Sequence, residues 1–366
     1  MAVVDLSINS IKLVKLSFDN IIGWSDDDHL VAFLAFLPGA ERMQSTPYKT
    51  RGLDVDGEAL RRAGAAALDI NHPTASLARQ FFENEFLPHK VTPENGDGFV
   101  TGFFEPLVKA SLVRSNKYSV PLYCRPPELI DLDEHNRPPS MNEYFRFGQV
   151  GSNGVEEYFD RPAIQSGALE GRGLELVWLE NKVDVFFIHV QGAAKLALDT
   201  GGMMRVTYAA KSGHPYTSVA KVLCKRMGVQ PAQMTADRLA DWMRSNPDKI
   251  DELLTHNRSY IFFKQVEGLD HNQGPIAAAK VPLVAGRSLA VDRTLHTFGV
   301  PIWLTTETPL PEEKTPFSRL MIAHDTGSAI VGSARGDIFT GTGEQAGLIA
   351  GRIRHDASMT ILVPKQ

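Results

Sequence analysis

Apolar residues in the first hundred positions recur every three or four residues, the spacing that lines one face of a helix. Ser25 and three aspartates precede LVAFLAFL, which reads as a capped start running into a buried helix. ALRRAGAAAL and SLARQFFENEF continue the helical pattern, with Leu77, Phe81 and Phe82 on one face of the second. Asn71-His72-Pro73 breaks the run between them. From Gly98 the period falls to two. GFVTGFFEP and YSVPLYCR read as strands, followed by a proline-rich loop from Pro126 to Pro139. RGLELVWL and DVFFIHVQG are expected to form a strand pair turning at Glu180-Asn181-Lys182. LALDTGGMMRVTYAA is expected to be a hairpin turning at Asp199–Gly202.

Helical spacing returns at TSVAKVLCKRMG, where Val219, Val222 and Leu223 share a stripe and Gly228 is the stop. Thr235 caps ADRLADWMRSN, whose apolar face is Leu239, Trp242 and Met243, and Pro247 ends it. Beyond Arg258 the chain is mostly short strands: SYIFFKQV, VPLVAGRSLAV, VPIWLTT, LMIAHDTG, AIVG and SMTILVP, with one helix, GEQAGLIAGRI. Short strands punctuated by Gly and Pro predict a small barrel with an accessory helix.

Composition narrows the class. At 366 residues the chain has the length of roughly two domains, and 43% hydrophobic with 22% charged residues is ordinary for a globular protein. The net charge of -5, the pI near 6.1 and the scatter of lysines and arginines predict no nucleic-acid partner. Cys124 and Cys224 are too far apart in sequence for a CxxC pair or a disulfide-dense scaffold, and Cys224 reads as a buried inert thiol. No apolar run is long enough to span a membrane. The N-terminal stretch, broken by Asp5, Lys12 and Lys15, does not read as an export signal, and no cysteine near it could carry a lipid.

Candidate chemistry concentrates in the last quarter. Asp292 in GRSLAVDRT, Asp325 in MIAHDTGSAI and Asp337 in ARGDIFTGTG each stand where strand-like sequence meets a turn. A carboxyl so placed can protonate a leaving group or accept a proton if its site raises its pKa. TGFFEP combines a tight turn, two aromatic rings and a carboxylate. The rings suit stacking on a sugar face, and Thr101 and Glu105 could hydrogen-bond, or the phenylalanines are simply core. His189–Thr217 gathers polar groups ahead of a helix start. No HExxH occurs and the 11 histidines show no ligand spacing, so neither metal nor cofactor is expected. The glycines at 341, 343 and 347 are wrongly spaced for a dinucleotide fingerprint. Asp-Thr-Gly occurs at Asp199 and Asp325, as an aspartic protease would need, but the flanking sequences do not repeat.

Taken together, TGFFEP, GRGLELVWL, FFIHVQG, MMRVTYAAKSGHPYTS, NRSYIFF, VPLVAGRSLAVD and HDTGSAIVG…RGDIFTGTGEQAG resemble, in order, the membrane-bound lytic transglycosylase A family of bacterial cell-wall enzymes. The resemblance runs from TGFFEP to the C-terminus. It departs from the family at Phe103 and Phe104, where tyrosines are usual, and at the alanines after Gln191-Gly192.

The fold this implies is α+β, mainly β. A double-psi β-barrel with N-terminal helices (1–106 and 258–366) would carry a smaller inserted β-rich domain (107–257), with a groove between them. The implied reaction cleaves the β-1,4 bond between N-acetylmuramic acid and N-acetylglucosamine in peptidoglycan and forms a 1,6-anhydro sugar. Asp337 would be acid and then base, Asp325 a support that raises its pKa, and Asp292 a support or a structural residue. Thr101, Gly102, Phe104, Glu105, Gln191, Gly192, His214 and Tyr216 would lie along the glycan. The resemblance also implies a location in the periplasm or at the outer membrane. The alternative of a different class is a glycan-binding barrel without turnover.

Overall fold

The alternating run Gly98–Glu105 is one of six strands that close on one another. In sheet order these are Gly98–Glu105, Arg354–Pro364, Pro301–Thr305, Ser318–Asp325, Ser288–Val291 and Arg335–Thr342, which returns to Gly98–Glu105. Ser288–Val291 runs parallel to Ser318–Asp325, while the neighbouring pairings at Arg335–Thr342, Pro301–Thr305 and Arg354–Pro364 are antiparallel. Closure leaves no open edge within this ring. The barrel is of the double-psi type, and the chain is α+β with strand predominating.

The computed structural model describes residues 6–8, 11–93, 97–268, 273–306 and 317–366. They fall into two compact units, Met1–Phe104 with Asp270–Gln366, and Glu105–Leu269.

In the first unit, inward residues of the barrel strands, among them Leu289, Ile302, Leu304, Ile322 and Ile361, share one core with the N-terminal helices. Those helices are His29–Ser45, Gly57–Leu68 and Ala75–Glu85. Phe33 and Phe36 of the first meet Phe81 and Phe82 of the third edge-on or tilted, with centroids 5.1 to 6.3 Å apart. Each fully buried ring of this kind contributes roughly 1.5–3 kcal/mol. Asp28, not Ser25, caps the first helix, accepting from the Val31 amide. Beside it Asp27 takes both Nη atoms of Arg287, at 2.7 and 2.8 Å, pinning the helix start to the barrel.

The second unit is built on a six-stranded sheet in the order Ile261–Val266, Met203–Lys211, Ala193–Leu198, Leu107–Ser111, Glu175–Leu179, Val120–Tyr123. The expected hairpin at Asp199–Gly202 is present, with Ala193–Leu198 antiparallel to Met203–Lys211. The helices at Val219–Met227 and Ala236–Ser245 are present as well, the first ended by Gly228 at φ 64° and the second capped by Thr235. Ile261–Val266 pairs with Met203–Lys211 inside this unit, although it had been read as opening the barrel's run of strands. Both cysteines are free thiols in separate apolar clusters.

Other expectations are corrected. DVFFIHVQG is not a strand: Lys182–Gln191 is a helix, capped by Asn181 and stopped by Gly192 at φ 76°. Its Val183, Val185, Phe186 and Ile188 are all buried because the helix is covered on more than one side, and that hides the helical period. Leu77 is exposed; Ala78, Phe81 and Phe82 form the buried face of its helix. AIVG is part of a turn rather than a strand. Ile11–Lys15 and Phe86–Thr92 are strands within the stretch read as helical, and Phe86–Thr92 pairs with Arg354–Pro364.

Candidate active site

The sheet register brings the last two aspartates to one row. Ala290 pairs with Asp325 on one side and with Asp337 on the other. Two strand spacings separate their Cα atoms by about 10 Å. Both side chains are half-buried, Asp325 at the end of its strand and Asp337 two residues into its own.

Asp337 is held by a relay. Arg335 Nη2 donates to Thr101 Oγ1 at 2.6 Å, and the Thr101 hydroxyl donates in turn to Asp337 Oδ1. Arg335 and Asp337 are two residues apart on one strand, so they share a face. Phe99, two residues before Thr101 on its own strand, lies under the Arg335 guanidinium at 5.3 Å. Burial pushes the Asp337 carboxyl up to about 6, against the opposing pull of the Thr101 hydroxyl and the Arg335 charge.

Asp325 Oδ1 accepts from the Ala278 amide at 3.0 Å. Burial pushes this carboxyl up to about 6 as well, against the amides of Ala278 and Thr326; the Asp337 charge adds to the rise and Lys280 opposes it. The expected cause is therefore modified. Desolvation is the leading cause for both carboxyls, and the like charge within the pair adds to the rise of whichever ionises second. The adjacent His324 faces the core, where its Nδ1 and Ser288 Oγ share a hydrogen bond of 2.8 Å, and burial lowers it to about 3.

Asp292 is buried and fully engaged. Its Oδ1 accepts from the amide of Thr294 at 2.9 Å and from its hydroxyl at 2.6 Å, and its Oδ2 from the Gly332 amide at 2.8 Å. These bonds tie the turn after Ser288–Val291 to the loop ahead of Arg335.

The TGFFEP residues divide their tasks. Gly102 lets the helix Glu344–Arg352 come close, since a Cβ there would sit 2.7 Å from Ala350 Cα. Phe103 packs on Phe339 with centroids 5.3 Å apart, so it is core. The Phe104 ring covers Gly347, where a Cβ would come within 2.9 Å of it. Glu105, expected along the glycan, instead forms a buried ion pair, with its Oε1 2.7 Å from Arg205 Nε and its Oε2 accepting from Arg205 Nη2 at 3.1 Å.

In the second unit, Gln191 and Gly192 end the helix Lys182–Gln191 half-buried, and the Gly192 carbonyl accepts from the Tyr208 amide at 2.7 Å. His214 is buried: its Nε2 donates to the Tyr158 carbonyl at 2.6 Å, and its ring meets Phe145 edge-on. Tyr216 is 40% exposed. Ser218 caps the helix that follows. Asp199 is an exposed turn residue, whereas Asp325 ends a barrel strand, so the two DTG sequences are not repeats of one structure.

Sequence reading missed Arg335 and Lys280. Arg335 had a signal, because i and i+2 on a strand share a face. Lys280, at φ 66° in a turn, had none.

This arrangement, a closed barrel with a raised, hydroxyl-supported carboxyl, defines a scaffold for acid–base chemistry. Residues 99–264 match the family described as MltA specific insert domain, and residues 287–363 match the 3D domain. A crystal structure of a membrane-bound lytic murein transglycosylase from Agrobacterium tumefaciens is 42% identical with a TM-score of 0.90, covering 97% of this chain and 98% of that one. The MltA structure from Neisseria gonorrhoeae is 26% identical with a TM-score of 0.81, covering 100% of this chain and 95% of that one. The Vibrio cholerae protein named membrane-bound lytic murein transglycosylase A is 33% identical over 232 residues, covering 61% of this chain and 60% of that protein. The chain spans about three fifths of the length of the curated relatives it matches. It belongs to the membrane-bound lytic murein transglycosylase A family.

Proposed function

We propose that this chain is a lytic transglycosylase that cleaves the β-1,4 bond between N-acetylmuramic acid and N-acetylglucosamine in peptidoglycan, with Asp337 as its acid and then its base. The observation that carries the reading is the Asp337 carboxyl itself, half-buried, raised to about 6 and oriented by Thr101. The neutral carboxyl protonates the glycosidic oxygen as the C1–O bond breaks. The developing charge at C1 is stabilised by the sugar's own 2-acetamido group. The Asp337 carboxylate then takes the proton of the C6 hydroxyl while O6 bonds to C1. The proton count closes with no water consumed, so no second carboxylate has to activate one, unlike the usual glycosidase.

In this reading the Arg335–Thr101 relay fixes the carboxylate rotamer, and Asp325 sets the local charge. Asp292 holds the turn beneath them. Phe104, Gln191, Gly192 and Tyr216 are the glycan contacts we propose, while Gly102, Glu105 and His214 serve packing. We also propose a location in the bacterial cell envelope, in keeping with relatives named membrane-bound. Among the described residues no helix is long and apolar enough to cross a membrane.

Mass spectrometry of products from purified sacculi tests the reaction. Muropeptides lighter by one water than hydrolytic products are expected. Ordinary reducing ends would make the protein a hydrolase, and binding without products would favour the glycan-binding alternative.

A pH profile tests the acid. Asp337 must be protonated to act, so kcat/KM is expected to hold below about 6 and to fall about tenfold per pH unit above it. The two carboxyls titrate as a pair. Asp325→Asn removes a like charge and is expected to move the falling limb to lower pH. A profile unchanged between pH 5 and 8 would remove Asp337 as the acid.

A further inference from the structure

Three arginines are buried among the described residues: Arg161, Arg205 and Arg287. Arg205 and Arg287 each hold a carboxylate, from Glu105 and Asp27. Arg161 holds none, although it is 3% exposed. Its Nε donates to the Asn257 carbonyl at 3.0 Å, and its Nη2 to the Ser259 carbonyl at 2.8 Å and to His189 Nδ1 at 3.1 Å. Among the described residues, Nη1 has no hydrogen-bond partner. Burial lowers this guanidinium to about 10, and no carboxylate opposes the fall. A buried cation without an anion is costly, and proteins seldom keep one idle.

Arg161 lines a cavity of about 130 Å³ within the second unit. Tyr260 lies beside it, its ring under the Arg161 guanidinium at 5.0 Å and its hydroxyl without a hydrogen-bond partner among the described residues. Ile164, Val185, Phe186 and Leu254 give the cavity lining an apolar part, and Gln165 and Lys182 line it as well. Two carboxylates also line it, but neither answers Arg161. Asp251 is taken by Lys182 Nζ at 2.5 Å, and Glu170 is exposed to solvent, which screens it. The volume approaches that of a cavity of ~150 Å³ known to hold benzene, so a ligand of about six heavy atoms fits.

We propose that this cavity binds a small organic carboxylate. The carboxylate oxygens accept from Arg161 Nη1 and the Tyr260 hydroxyl, and a short apolar chain lies against Ile164, Val185, Phe186 and Leu254. A free short-chain acid and the carboxyl end of a peptide offer the same chemistry. The site is independent of the reaction assigned to the barrel.

Calorimetric titration of the full chain with butyrate, butyramide and N-formylglycine tests it. So small a ligand is expected to bind with a Kd on the order of 1 mM. Butyramide, the same shape without the charge, is expected to bind about tenfold more weakly or not at all. N-Formylglycine, close to butyrate in size, binding as tightly as butyrate assigns the site to peptide ends, and butyrate binding alone assigns it to free acids. Arg161→Gln should abolish binding. Because it also removes bonds to Asn257 and Ser259, Tyr260→Phe is the second variant, expected to weaken butyrate about tenfold with an unchanged melting temperature. The proposal is overturned if neither acid binds below about 20 mM, if butyramide matches butyrate, or if a folded variant of either residue keeps full affinity.

Discussion

Asp337→Asn is expected to lower turnover of purified sacculi about 100-fold or more, because it removes the one proton the mechanism uses twice. The substitution is well suited to separating chemistry from folding. Asparagine keeps the size of the side chain and an oxygen to accept from Thr101, so the relay from Arg335 persists. Stability works in its favour. The native carboxyl sits at about 6 against an ordinary 3.8, so the folded state binds the proton more tightly than the unfolded chain. Stability contributed by that proton is full below about 4 and is lost as the pH rises through about 6. At pH 8 wild type therefore carries the cost of a desolvated charge, and Asn does not. The melting temperature of Asp337→Asn at pH 8 is expected to match or exceed wild type while activity collapses. Asp325→Asn should retain most of its turnover at pH 5 and shift its pH profile. If Asp325→Asn were the inactive variant and Asp337→Asn retained turnover, the two roles would be exchanged.

Asp292 and Asp325 were legible because a strand followed by a turn is a local pattern, and both stand at such a junction; Asp337 instead lies inside Arg335–Thr342, paired with Ala290. What binds these carboxylates was not legible. Thr101 meets Asp337 across 236 positions, and a register of that range is set by barrel closure rather than by neighbouring residues. The helix Lys182–Gln191 was misread for a different reason. Its run of Val, Phe and Ile has strand composition, and burial on several sides erased the three-to-four spacing. Asn181 before it and Gly192 after it were the correct signals, a cap and a left-handed stop, and composition overrode them. Phe86–Thr92 was not read as a strand: the helical pattern SLARQFFENEF runs to Phe86 and Pro88 argues against a strand, yet Pro88 sits in one that pairs with Arg354–Pro364. Arg161 gave no sign at all. Arginine is ordinarily a surface residue, and its burial follows only from two separated segments, at 189 and 257–259, closing over it.

Glu105 carries the second large effect, on stability rather than on chemistry. Read alone, a glutamate ending an aromatic strand looked suited to a sugar hydroxyl. In the fold its side chain is 0% exposed and Arg205 is 7% exposed, with two nitrogen–oxygen contacts between them. Glu105→Gln leaves a buried guanidinium without its anion, which costs about 3–5 kcal/mol. For units of this size that lowers the melting temperature by roughly 10 °C. Arg205→Met should cost a similar amount, since it strands the carboxylate instead. Glu105→Leu combined with Arg205→Met removes both charges and is expected to recover most of the loss, because two apolar groups need no partner. Thermal melts of the four proteins, with turnover measured well below each transition, distinguish the two roles. A sugar contact would show as raised KM in Glu105→Gln at unchanged melting temperature. A buried pair shows as a melting temperature that falls in both single variants and rises again in the double, with the turnover of folded protein near wild type throughout.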